Sequence, residues 1–366
     1  MTTLVDPTVP ATAPRDSIGI VEWLRTRLFS SVGNTILTLA TLVLLWFVLP
    51  PMANWFVFDA VWWAAPPEVC RAAEGACWAM IHEKYRLIIF GRYPFGEHWR
   101  PFVAMAVLIG LIGVSADRRA WKRWLFGLWA GGLVVMAGLM WGGVFGLTFV
   151  EANLWGGLPL TLILTTVGIG VAFPWGVLLA LGRQSQMPII RTLSVAYIEL
   201  IRGVPLVSLL FMASFMFPLF MPSGVQISSL LRAQVAIILF AGAYLAEVVR
   251  GGLQAVPRGQ VEAARSLGLG YWPTMWKIVL PQAIRMVIPG IVNSFISTFK
   301  DTSLVAIVSL TDLMLAARQA VGDPLWRAYG LEGYVFIGLI YLIFCYLMSR
   351  YSQRLEVQLY TGRQRL

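Results

Sequence analysis

The sequence predicts an all-α, polytopic membrane protein of about eight transmembrane helices, on three observations. Of 366 residues, 58% are hydrophobic and only 13% are charged, whereas soluble domains hold about 45–50% apolar and about 25% charged residues. The apolar residues gather in eight runs, most of them near the roughly 20 residues a helix needs to cross a bilayer. The third observation is the placement of charge. With a cytoplasmic N-terminus, 19 of the 28 Lys and Arg fall in cytoplasmic segments and 9 on the other side, the asymmetry that orients membrane proteins. The formal charge of +10 is therefore a matter of topology, and no nucleic-acid partner is needed to explain it.

The runs are 33–53, 101–116, 124–143, 159–182, 204–222, 233–250, 286–308 and 334–350. Residues 1–32 form a cytoplasmic tail. They lack a basic segment followed by a short apolar core, so no cleavable signal is expected and 33–53 stays as an anchor. Residues 33–143 give three helices with a long periplasmic loop at 54–100; the run 101–116 is short and needs its flanks. The stretch "MWGGVFGLTFVEANLWGGLP" reads as the hinge to a second part, 150–366, with five spans and its longest cytoplasmic connection at 251–285. The seventh run carries several polar residues. Both termini are then cytoplasmic. The 16 Trp suit headgroup-level anchors.

The connection contains "PRGQVEAARSLGLGYWPTMWKIVLPQA", a soluble-looking piece between greasy runs. Gly259 is placed to cap a helix, with Glu262 at its third position reaching back to free backbone donors. Ala263 and Ala264 favour the helix, and Gly268 ends it in a left-handed conformation. Such a helix has about 8 residues, ~12 Å, and needs a surface to dock on. By local features alone it is a capped loop helix lying on its own protein.

The spacing adds more. Glu262-Ala263-Ala264, three residues, Gly268, nine residues, Ile278, one residue and Leu280-Pro281 resembles the EAA-x3-G-x9-I-x-LP signature of ABC importer permeases. Seven fixed positions over 20 residues match without departure. "YIELIRGVPLV", "AYLAEVVRGGL" and "KDTSLVAIVSLTDL" are similar to segments of the polar amino-acid branch, Val204 replacing its usual Thr. The likeness covers about 155–355. "CRAAEGACW" and "FGRYPFGEHWRP" resemble the longer membrane subunits of general L-amino-acid transporters, the AapM/BztC type.

The resemblance implies a type I importer core of five helices preceded by three extra ones, in a bacterial inner membrane. It implies that Glu262 to Gly268 form a coupling helix seated in a cytoplasmic ATPase present in two copies. It also implies a second permease subunit as heterodimer partner, which the sequence itself leaves open, and a periplasmic amino-acid-binding protein that delivers L-amino acids. The chain holds no G-x-x-x-x-G-K-[ST] loop, so ATP and its Mg belong to the partner.

Other candidates carry competing readings. Charges at membrane depth face a cavity or a partner, which singles out Glu247, Lys300 and Asp301. Lys300 lies 15 residues beyond Arg285, about 22 Å along a helix, away from the cytoplasmic edge. With Asp301, Thr302 and Ser303 it offers both signs of charge and two hydroxyls to an amino acid; a structural Lys–Asp arrangement at a broken helix explains them equally. Glu247 reads as structural, paired with Arg250. Arg202, Gly203 and Pro205 open a span, where Pro is tolerated, and Arg202 reads as an interface residue or a gate. Cys70 and Cys77 face the periplasm under this topology and are disulfide candidates, although their separation leaves bonding geometry open. Cys345 reads as packing. His82 and His98 are the only histidines, and no cluster has metal-ligand spacing. An ion-coupled secondary amino-acid transporter is the rival reading; it calls for intramembrane carboxylates and paired repeats, both scarce here. A membrane enzyme lacks a catalytic cluster.

Overall fold

In a computed structural model the described residues are 19–222, 224 and 226–361; residues 1–18 of the tail, and both chain ends, lie outside them. The chain divides into two compact units, 1–77 and 78–366.

In the first unit a short helix, α1 (Ile20–Arg27), precedes α2 (Val32–Ala53). Ser31 starts α2 by accepting from the Asn34 N–H at 3.2 Å, satisfying one of the free donors of the first turn. Pro50 and Pro51 lie inside α2 and remove two backbone donors; the helix then widens into a π-turn, Asn54–Phe58. No residue of α2 is buried, which fits a helix solvated by lipid. After α3 (Pro67–Ala72) the chain folds back, Val61 N–H donating to Ala76 O and Ala76 N–H to Trp55 O, both at 2.8 Å. This return brings Cys70 and Cys77 together as a disulfide with Cα atoms 5.6 Å apart, inside the usual range. Thiol labelling of denatured protein without reductant is expected to add one label, at Cys345, and three after reduction; three before reduction would refute the bond.

The second unit starts with α4 (Ala79–Phe90), in the segment read as loop. A turn through Gly91 leads to α5 (Trp99–Ala116), whose span begins at Phe95, and then to α6 (Trp124–Trp141). Arg100 is fully buried. It donates to Leu139 O at 2.7 Å and Thr148 O at 2.9 Å, while the Tyr93 hydroxyl donates to Met140 O at 3.1 Å. The bonds to Leu139 and Met140 satisfy two of the last carbonyls of α6, where a cation is also favoured by the helix dipole; the bond to Thr148 ties in the loop that follows.

α7 (Gly157–Arg183) and α10 (Ser229–Ala255) lie alongside each other. Gly168 faces Gln234 and Ile237, and Gly176 faces Gly242 and Leu245, so the two helices run parallel. A Cβ at Gly176 would stand 2.9 Å from the Leu245 side chain and 3.0 Å from Gly242 O; a residue without one allows the close approach typical of membrane helices.

Parallel neighbours need a return crossing. It is made by α8 (Pro188–Gly203) and α9 (Leu206–Phe211), the latter extended by a π-turn and a 3₁₀ turn to Phe220. The two arms meet at 101°. The run 204–222 is thus one arm of a bent pair rather than a straight span. Val204 is extended (φ −108°, ψ 133°), as a residue preceding proline is constrained to be. Seven described helices are long and apolar enough to span, or eight if the bent pair is one.

Beyond α10 come α11 (Arg258–Ser266), α12 (Tyr271–Thr274), α13 (Leu280–Met286) and α14 (Ile288–Asp301), the last tightening into a 3₁₀ turn, Thr302–Val308. A two-residue strand, β1 (Thr311–Asp312), α15 (Leu313–Val321) and α16 (Gly330–Thr361) follow. The strand residues bridge Gly156 and Gly157. The backbone there also meets Gly91, where a Cβ would stand 2.6 Å from the Cα of Gly156. Three stretches of chain meet here, and none of the three glycines has room for a Cβ. One apolar cluster joins Ile88, Leu108, Met140, Leu162, Phe299 and Leu313, so α4 and α5 share a core with the last helices. Another joins Val177, Ile198, Val249 and Leu280.

Candidate functional site

The segment carrying Glu262 to Gly268 is a nine-residue helix, α11. Its start differs from the expectation. Pro257, not Gly259, precedes the first helical residue, and no side chain caps it. Glu262 therefore falls at the fifth helical position, too far along to reach the free donors. The cause is the proline: it holds φ at −58° and lacks an N–H, which fixes the point where the helix can begin. The C-terminus is as expected. Gly268 has φ +73°, its N–H bonds to Arg265 O at 2.9 Å, and the Leu269 N–H bonds to Ala264 O at 3.0 Å. This paired closure ends the helix with its last carbonyls satisfied.

Only Ala264 of α11 is buried; Gly259, Glu262, Ala263 and Gly268 are exposed. The helix is anchored through Ala264 and the half-buried Val261, the latter packed with Val279, Leu280 and Ala283. Leu280 is buried, Ile278 is half-buried and Pro281 stands in the first turn of α13. The second half of the signature thus seats the helix stack against α10: a Cβ at Gly252 would lie 2.6 Å from Ala283 O.

Glu247 stands at the centre of a charge cluster. Its carboxylate takes Arg183 at 2.8 Å, Arg250 at 2.8 Å and Arg202 at 3.7 Å, and Arg183 also pairs with the exposed Glu199 at 2.9 Å. The Arg202 guanidinium lies 5.5 Å from the Tyr244 ring centre. Three cations share one partly buried carboxylate where α7, α8 and α10 meet, beside the bend at Gly203 and Pro205. The Arg250 pairing is local, whereas Arg183 and Glu199 come from distant sequence that no spacing signals.

Lys300 and Asp301 end α14. Lys300 is exposed, Asp301 and Ser303 are half-buried, and Thr302 is buried with its hydroxyl donating to Phe299 O at 2.7 Å. Among the described residues no ion pair joins Lys300 to Asp301. Nearby, Asp312 is fully buried. It caps α15, its two oxygens each accepting at 3.0 Å from the Met314 and Leu315 N–H groups, while Thr161 accepts from Leu313 N–H at 3.1 Å. The sequence reading missed this residue, although an Asp ahead of an apolar helical run is a capping signal. Burial outweighs these bonds and pushes its carboxyl up to about 6. Because the native state holds the proton more tightly than the unfolded chain, the contribution of Asp312 to stability is full below about pH 4 and declines as pH rises to about 6. Asp312→Asn keeps a capping oxygen and removes the titration. Thermal unfolding in detergent at pH 4.5 and pH 7 is expected to show the wild type losing stability relative to this variant at the higher pH, by about 2 kcal/mol; a constant difference would refute it.

Comparison with known proteins places the chain in a family. Residues 172–358 match the family described as binding-protein-dependent transport system inner membrane component. The chain is 49% identical over 360 residues to the inner membrane amino-acid ABC transporter permease protein YhdY of Escherichia coli, covering 97% of both chains. It is 37% identical to the glutamate/glutamine/aspartate/asparagine transport system permease protein BztC of Rhodobacter capsulatus, covering 96% of both. The probable glutamine ABC transporter permease protein GlnP of Bacillus subtilis is 34% identical and matches over 57% of this chain and 94% of its own. Among solved structures, an amino acid ABC transporter with histidines superposes with a TM-score of 0.50 at 31% identity, over 55% of this chain and 92% of the other. The chain belongs to the binding-protein-dependent transport system inner-membrane component family, the permease subunits of ABC importers.

Proposed function

We propose that this permease imports L-amino acids, with alternating access driven by a partner ATPase through α11. One observation carries the coupling role. A short, closed helix exposes Glu262, Ala263 and Gly268 while Ala264 and the packed Ile278–Pro281 segment tie it to the span α10. A rigid element fastened in this way passes a displacement to the spans as a unit. The amino-acid substrate is supported by the relatives named above. Two ATPase copies bearing ATP and Mg, a second permease as heterodimer partner and a periplasmic binding protein complete the assembly. In this reading 150–366 is the five-helix importer core, 33–143 supplies the extra helices with the 54–100 loop in the periplasm, and both termini are cytoplasmic.

The transport path runs past Lys300, Asp301, Thr302 and Ser303, where a cation and a carboxylate not paired with each other suit a zwitterion. Arg202, Gly203 and Pro205 at the bend form a gate or interface, and Glu247 holds Arg202 there at 3.7 Å. Asp301→Asn is expected to shift the preference among acidic, neutral and basic amino acids; unchanged uptake of every one would leave Asp301 a structural role. Reconstituted vesicles test the whole. Uptake that requires ATP and the ATPase subunit supports the proposal. Uptake driven by an ion gradient alone would overturn it in favour of a secondary transporter.

A further inference from the structure

A groove of about 620 Å³ lies between the end of α7 with its following turn and the α11–α12 segment. Its size falls within the range of about 300–1,000 Å³ typical of small-molecule sites. Its walls combine two chemistries. Leu178, Leu181, Ile190 and Met275 are apolar, the first two belonging to the candidate span α7. Arg265, Gln184 and Ser185 are polar. No acidic side chain lines the groove, and among the described residues Arg265 has no carboxylate partner. Tyr271 and Trp272, also in the wall, are 50% and 56% exposed, in keeping with the aromatic belt at a membrane–water boundary.

Apolar side chains from a candidate span, one cation without a carboxylate partner and amphipathic rings in the same wall complement one molecule class. We propose that the groove binds an anionic phospholipid, its phosphate on Arg265 and the start of its acyl chains against Leu178 and Leu181. Attraction of anionic headgroups to cations beside a span is general membrane electrostatics. The proposal rests on the reading above that α11 lies at the cytoplasmic face. Val261 and Arg265 line the groove whereas Glu262, Ala263 and Ser266 do not, so lipid and ATPase meet different faces of α11.

The test uses the full-length chain in phosphatidylcholine nanodiscs with and without phosphatidylglycerol, followed by detergent exchange and native mass spectrometry. Phosphatidylglycerol is expected to be retained at least tenfold over phosphatidylcholine. Arg265→Gln should reduce retention to the phosphatidylcholine level, and Leu178→Trp, at a position 51% exposed, should displace the lipid while leaving the cation in place. Equal retention of both lipids, or retention indifferent to both substitutions, would overturn the proposal. Displacement by millimolar inorganic phosphate would show an anion site without lipid, and release of the lipid on adding the ATPase subunit would assign the groove to that protein; either result also overturns it. Labelling of Ser266→Cys from one side of intact vesicles checks sidedness separately. Labelling only from outside would sink the functional reading without changing the lipid count.

Discussion

Gly268→Asp is expected to insert normally and to reduce ATP-driven uptake to background. The position is exposed, and nothing lies within 4 Å of a Cβ placed there, so steric clash is not the cause. Two local effects are. At φ +73° an L-residue costs about 1–2 kcal/mol, enough to loosen the paired closure at Arg265 O and Ala264 O. The new carboxylate also sits at the negative end of α11, unfavourable by about 0.3–1 kcal/mol. Because α11 lies outside the candidate spans, membrane insertion is untouched. Asn shares the tolerance of Asp for the left-handed region but brings no charge, so Gly268→Asn should lose less uptake than Gly268→Asp, by up to about fivefold. Uptake assays with matched amounts of membrane-inserted protein read both variants. Wild-type transport by the Asp variant would remove α11 from the coupling path.

Glu247→Gln has the other large effect. One carboxylate now balances Arg183, Arg202 and Arg250, with a side chain only 16% exposed. The amide leaves a single accepting oxygen and turns two N–H donors toward guanidinium groups that are all donors. Breaking a buried pair from one side costs about 3–5 kcal/mol. Arg202 and Arg250 keep about a third of their side-chain surface, which screens part of the loss and places the expected destabilisation near ~3 kcal/mol. Glu247→Asp retains the charge one methylene short and should fall in between. Thermal stability in detergent measures the series; a Gln variant as stable as the wild type would show that the cluster contributes nothing to the fold.

Hydropathy read most of the spans because burial in lipid leaves a one-dimensional trace. It failed at α8, whose exposed Arg191, Glu199 and Arg202 interrupt any greasy run, so the arm before the bend went unseen. The bend itself was legible in Gly203-Val204-Pro205, there read as the start of a straight span. α4 leaves no span signal because it is a short helix of 12 residues inside a polar segment. At the site, local grammar placed the end of α11 and the Glu247–Arg250 contact. Arg183 lies 64 residues before Glu247, and no local pattern announces a partner at that distance.

The interleaved backbones of Gly91, Gly156 and Gly157 set a limit on shortening this protein. GlnP matches over little more than half of this chain, which invites trimming to a minimal importer subunit that begins near residue 155. Such a truncation would tear out one thread of a three-way splice and strip Ile88 from the cluster it shares with Leu313 and Ala317. The remainder would carry a raw seam along α15. Any minimal version of this permease must therefore bring a replacement for α4.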